Sequence, residues 1–188
     1  MTQRRIYQNE FPYHLTNTIR NNQSFFSDIN KTKVLHDNIF YYQRKLKFEL
    51  LCFAIMPTHF HIIIKSNIFT ISDIMQKIKY QTAKQIKALP SKEDRLFPSH
   101  STAIRWKGEK PNITVPQHSR AVRIFSPPRC PNSIWKPRFY HRIINTERYL
   151  SRAINYVTNN WSHHHLPSHF SQSPHTYLNH TLIKKYLS

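Results

Sequence analysis

The chain has a single glycine, Gly108, among 188 residues. Loops that cradle nucleotide phosphates need several glycines where the backbone closes on the anion, so that class of site is excluded. Acid is almost as scarce, with 9 Asp and Glu against 28 Lys and Arg and a formal net charge of +19. Only Glu93 and Asp94 are adjacent. The clustered carboxylates of a two-metal nuclease are therefore missing. The two cysteines, Cys52 and Cys130, form neither a CxxC pair nor a zinc-ribbon spacing. Cys52 lies in an apolar run and reads as a small core residue. No apolar run approaches 18 residues, and Met1-Thr2-Gln3-Arg4-Arg5 leads into polar sequence. A membrane-spanning helix and a signal peptide are not expected, and the cytoplasm is. No Cys-His or Ser-His-Asp arrangement stands out.

What is present is a globular composition, 39% hydrophobic and 13% aromatic, of a length suited to one domain. A surplus of positive charge this large calls for a polyanionic partner, of which nucleic acid is the usual one.

Residues 13–20 alternate loosely and predict a first strand. From about 31 to 45 the apolar residues recur at helical spacing. Residues 47–56 read as a nearly continuous apolar strand, and Pro57-Thr58 turns it into a second strand over 59–65, giving a hairpin. Thr70-Ile71-Ser72-Asp73 resembles a capping box. It opens a helix whose buried stripe includes Ile71, Ile74, Met75 and Ile78 and which Pro90 stops. Lys77 and Lys84, with Lys79 and Lys87, lie off that stripe and form a basic face.

Between Pro90 and Ile134 fall seven of the twelve prolines and eight Lys or Arg against three acids. This reads as a basic inserted loop at about 90–134. A strand is predicted from Trp135 to Ile144. It is followed by a helix burying Leu150, Ala153, Ile154, Val157 and Trp161. The domain is expected over 1–165, with a solvated His-containing tail over 166–188. The fold class is α+β, a mostly antiparallel sheet with helices on one or both faces.

The centre of this organisation is Leu51–Lys65, LCFAIMPTHFHIIIK. On a strand His59 and His61 share one face about 6.6 Å apart, while Phe60, Ile62 and Ile64 face the other way. An isolated His-x-His is more often structural than functional. Two imidazoles on an oily strand nevertheless each need a partner, which a divalent ion would supply. On the later helix Tyr156 and Asn160 are four apart and stack one turn above the other. Histidine pair, tyrosine helix and basic body together suit attack by a tyrosine hydroxyl on a phosphodiester.

The segments MPTHFHIII, Trp135-Lys136-Pro137-Arg138-Phe139 and Tyr156-Val157-x-x-Asn160 resemble REP-associated tyrosine transposases. These are single-tyrosine transposases of the HUH (His-hydrophobic-His) endonuclease superfamily. The likeness runs from about Tyr13 to Trp161. It implies a ferredoxin-like sheet with the histidines on a central strand and the Tyr156 helix packed across it. It also implies that Tyr156 cleaves single-stranded, hairpin-forming DNA through a 5′-phosphotyrosine intermediate. His59, His61 and Asn160 are then the ligands of Mg²⁺ or Mn²⁺. Asn159 is the neighbouring alternative, but only Asn160 is in register with Tyr156. Where the family has proline after this asparagine, the chain has Trp161. Lys65, Lys77, Lys84, Arg138 and Arg142 are the candidate DNA contacts. The implied protein is a monomer or homodimer at the nucleoid. Two rivals share part of the pattern. A replication initiator or relaxase uses the same chemistry, though initiators place lysine one turn from the tyrosine. A non-catalytic nucleic-acid-binding protein would keep the basic surface alone.

Overall fold

The computed structural model describes residues 10–89 and 133–187. Of the expected basic loop, residues 90–132 lie outside that range. The described residues up to Ala88 and from Ser133 onward make one compact unit.

Its centre is a five-stranded antiparallel sheet in the order β4-β1-β3-β2-β5. The strands are β1 (Tyr13–Thr18), β2 (Glu49–Met56), β3 (His59–Lys65), β4 (Tyr140–Ile143) and β5 (Thr176–Leu178). The fold class is α+β, as the alternation of strand and helix patterns predicts.

Helices cover both faces. On one, α1 (Ile29–Leu46) and α2 (Ile71–Lys87) pack against each other and against the stripe of Tyr13, Leu15, Phe60, Ile62 and Ile64. Thr70 caps α2 as expected: its Oγ1 accepts from the Asp73 N–H at 3.1 Å and donates to the Asp73 carboxylate at 2.7 Å, in place of the carboxylate–backbone bond of a full capping box. On the other face, α3 (Glu147–Thr158) lies over β2 and β3. Its Leu150, Ala153 and Val157 meet Leu51, Cys52, Ala54, Met56 and Ile63. A register shift between Leu50 and Cys52 places Leu51 and Cys52 in the same cluster. Cys52 is fully buried, and burial pushes its thiol well above the usual range.

Glycine scarcity has a visible consequence. Asn21, Asn22, Lys47 and His165 take positive φ values of 51° to 58°, and among the described residues no glycine does. Asparagine is the cheapest substitute there, because its short polar side chain bonds locally.

Two expectations are corrected. The strand predicted from Trp135 shrinks to Tyr140–Ile143, with a lone bridge between Trp135 and Ile19. Pro137 cannot donate to a ladder. Trp135 is instead an anchor, 1% exposed against Phe26 and Phe60, its indole N–H donating to the Lys79 carbonyl at 2.9 Å. The segment after residue 165 is no solvated tail. It forms a 3-10 turn at Ser168–Ser171, then β5 and α5 (His180–Tyr186). The Ile55 N–H donates to the His175 carbonyl at 2.7 Å, and the Asn179 N–H donates to the Leu51 carbonyl at 2.8 Å. Phe170, Leu178, Leu182, Ile183 and Tyr186 pack onto the same cluster as α3. That apolar set, rather than the three histidines of the segment, decides where it goes. Among the described residues no helix is long and apolar enough to cross a membrane.

Candidate active site

β1 and β3 pair antiparallel with Thr16 opposite His61 and Thr18 opposite His59. Opposed residues share a face, so His14, Thr16 and Thr18 lie beside His59 and His61 on the side of the sheet that α3 covers. α3 does not close over all of it. An open cleft of about 1030 Å³ remains, floored by β1 and β3, bounded by β4 and walled by α3.

The tight Pro57-Thr58 turn sets His59 at the cleft mouth, and Thr58 Oγ1 sits 3.0 Å from His59 Nδ1. His61 is deeper, 4% exposed. Its Nδ1 lies 2.9 Å from Thr16 Oγ1 and 3.2 Å from His14 Nε2. Both rings thus engage neighbours through Nδ1 and leave Nε2 for the cleft. This is the usual arrangement behind a metal-binding histidine, where the outer partner fixes ring orientation. The two ring centroids are 4.9 Å apart at 89°.

Burial, then the neighbouring imidazoles, holds these groups neutral. His59 is lowered to about 4, by burial and by His164, with the Asn160 amide acting the other way. His61 is lowered to about 2, by burial and then by His59, His14 and His164. His14 is lowered to about 4, by burial and then by Arg142. Neutral imidazole is the form that binds metal, so proton competition sets in well below pH 6.5.

Tyr156 projects from α3 into the cleft, 43% exposed. Its ring is 5.3 Å from His61 and 5.9 Å from His14, edge-on to both. Asn160 opens the short α4 (Asn160–His163) and is fully buried. Its amide stands beside His59, yet neither amide atom closes a hydrogen bond of good geometry. Asn159 turns away, exposed, its amide donating to Asn155 Oδ1 at 2.5 Å. The structure therefore gathers His59, His61, Tyr156 and Asn160 in one place.

Two buried polar groups here lack a partner, His61 Nε2 and the Asn160 amide. Such groups are rare and call for an ion or a water. Two neutral imidazole nitrogens and an amide oxygen fit a divalent metal such as Mn²⁺ or Mg²⁺. Among the described residues no three His, Cys, Asp or Glu side chains form a metal-holding group, so the fit rests on the amide as third donor.

Of the five candidate DNA contacts only Arg142 lines the cleft, its guanidinium 4.7 Å from the Tyr149 ring centroid. Arg138 is exposed just before β4. Lys65 ends β3 at the far end from His59, over the Tyr186 ring. Lys77 and Lys84 are exposed on α2, across the sheet. The sequence does not assign His14, Thr16, Arg152, His163 or His164 to the site. His163 stacks on Tyr156 at 5.8 Å and His164 meets His59 at 5.0 Å. The alternation His14-x-Thr16-x-Thr18 was the available signal, since it marks a polar face on β1.

Comparison with known proteins bears on the fold and the family. No curated protein matches the chain significantly. Among solved structures, a REP-associated tyrosine transposase bound to a REP hairpin superposes with a TM-score of 0.62 at 18% identity. The match covers 94% of this chain and 81% of that one. It shows a shared fold. A candidate transposase from Deinococcus radiodurans R1 matches at a TM-score of 0.44 and 18% identity, over 85% of this chain and 97% of that one, which is too weak to argue from. The model of the IS200-like transposases matches residues 7–104, more than half of the chain and including β1, β2, β3 and α2. The chain belongs to the IS200-like transposase family.

Proposed function

We propose that this transposase is a metal-dependent single-strand endonuclease of the REP-associated branch, which cleaves and rejoins DNA through Tyr156. The observation that carries the reading is the half-exposed Tyr156 ring set 5.3 Å from His61 in an open, basic cleft. The phenol oxygen attacks the scissile phosphorus, the phosphorus–O3′ bond breaks, and the phenolic proton is released while the departing 3′ oxygen gains one. Rejoining runs the same exchange backwards from a 3′ hydroxyl. His59, His61 and Asn160 would hold Mg²⁺ or Mn²⁺. When bound, the ion polarises the phosphate and offsets charge developing in the transition state. His14 and Thr16 keep His61 turned toward it. Arg142 contacts DNA at the cleft; Arg138, Lys65, Lys77 and Lys84 contribute through the overall positive field. The substrate is single-stranded, hairpin-forming DNA, met at the nucleoid by a monomer or homodimer. The domain includes β5 and α5 of the C-terminal segment and is interrupted by the basic segment at about 90–134.

The test is incubation with labelled hairpin oligonucleotides carrying randomised unpaired flanks, in Mn²⁺ or Mg²⁺, followed by peptide mapping of covalent adducts. The expected product is a 5′ phosphate joined to Tyr156 and a fragment ending in a 3′ hydroxyl. Tyr156→Phe should end both cleavage and adduct while leaving stability nearly unchanged. Adducts on Tyr140 or Tyr149, or an active Tyr156→Phe protein, would overturn the assignment.

A further inference from the structure

The cleft continues past Tyr156 toward β4 at the sheet edge, where its walls take no part in the cleavage step. Tyr140 pairs with Thr16 and Arg142 with His14, which puts both on the cleft face. On α3, Tyr149, Arg152 and Tyr156 follow at steps of three and four and so line one face. This arm of the cleft therefore brings Arg142 and Arg152, both exposed, toward Tyr140, which is 59% exposed.

Three features distinguish the arm from a merely solvated surface. No Asp or Glu lines the cleft, and neither guanidinium has a carboxylate at ion-pair distance among the described residues. The charged carbon of Arg142 lies over Tyr149, 4.7 Å from the ring centre, and is near enough to His14 to disfavour protonation there. A guanidinium drawn to a ring face by cation–π attraction keeps N–H donors for an oxyanion. Finally, a large ring on an edge strand, most of it in water, is a ready platform for a base.

The geometry points to a subsite for one unpaired nucleotide beside the scissile phosphate, with its phosphate between Arg142 and Arg152 and its base on Tyr140. This assignment rests on the cleavage reading above, because the arm opens onto the nucleophile. It makes the arm responsible for gripping the strand next to the cut, independently of the metal ligands.

The test uses Tyr156→Phe protein, a fluorescent unpaired 20-mer and a blunt duplex of the same sequence, titrated over a range of salt. Adding Arg142→Gln and Arg152→Gln together should weaken single-strand binding tenfold or more. The slope of log K against log salt should shrink by about 0.7 to 1.4, the counterion release of one or two single-strand phosphates. Tyr140→Leu should cost roughly 5- to 100-fold and Tyr140→Phe almost nothing, as expected for a lost stacking platform. Duplex affinity should move less than twofold in all of them. In the cleavage-competent protein, a neutral methylphosphonate scanned around the mapped cut should slow cleavage at one flanking position, and that position should lose its effect in the double variant. Unchanged slopes, equal losses on duplex, or additive effects at every scanned position would each overturn the subsite. Absence of any adduct with Tyr156 intact would instead sink the cleavage reading, while the binding titration would still judge the subsite.

Discussion

The two faces of β1 and β3 are made by alternate residues of the same strands, and they behave oppositely. Toward α1 and α2 the strands present Tyr13, Leu15, Ile19, Phe60, Ile62 and Ile64, all 3% exposed or less. Toward α3 they present His14, Thr16, Thr18, His59 and His61 at the border of an open cleft. The first face is closed by two helices and removes apolar area from water. The second is closed only from Ile63 onward, where α3 and the C-terminal segment seal it. One strand can thus anchor the fold and carry the site because a period of two sends alternate residues to opposite faces, with the buried Asn17 as the polar exception on the closed side.

Adjacent substitutions on β3 offer the sharpest way to break that contrast. Phe60→Ala should remove about 3–5 kcal/mol of stability by opening a cavity, seen as a lower urea midpoint. His61→Ala should abolish cleavage yet shift stability by only about 1 kcal/mol, because it also removes a buried nitrogen with no partner. A His61→Ala protein as unstable as Phe60→Ala would mean the two faces are not separable.

Next in size is His14, whose Nε2 lies 3.2 Å from His61 Nδ1. His14→Ala should weaken Mn²⁺ binding roughly 10- to 100-fold by calorimetry, the usual cost of losing an outer partner. Undiminished affinity would leave Thr16 as the sole orienting group.

Acid separates the faces too. In the unfolded chain histidine gains its proton near pH 6.5, whereas folded His14 and His59 stay neutral to about 4 and His61 to about 2. Between about pH 6.5 and 4 the unfolded state therefore binds more protons, and metal-free protein should lose stability as pH falls. His14→Gln should flatten the slope of urea stability against pH in that window. Ile62 does not itself titrate, so Ile62→Val should lower stability without changing the slope.

The smallest effect is expected on α2. Lys77→Ala with Lys84→Ala should leave cleavage at saturating DNA within about twofold and weaken binding mainly at low salt, since exposed charges act through a screened field. A collapse of cleavage at saturation would place DNA on the α1–α2 side during catalysis.

Much of this was readable before any coordinates. The sharing of a face by His59 and His61 follows from strand geometry, and the register of Tyr156 with Asn160 follows from the helical repeat. Thr70 and Asp73 announced the start of α2, and Phe60, Ile62 and Ile64 announced a core stripe. Scarce glycine and acid excluded whole classes of chemistry. Sequence could not say that Thr16 pairs with His61, because strand register depends on contacts 45 residues apart. That pairing alone brings His14 to His61. Nor could local pattern place the segment after residue 165. Its apolar residues are ordered only because α3 leaves part of β2 for them to cover, an area that exists once the sheet has formed. Residue identity and local periodicity determined the donors and the faces; long-range packing decided which neighbours orient them and which arm of the cleft stays open.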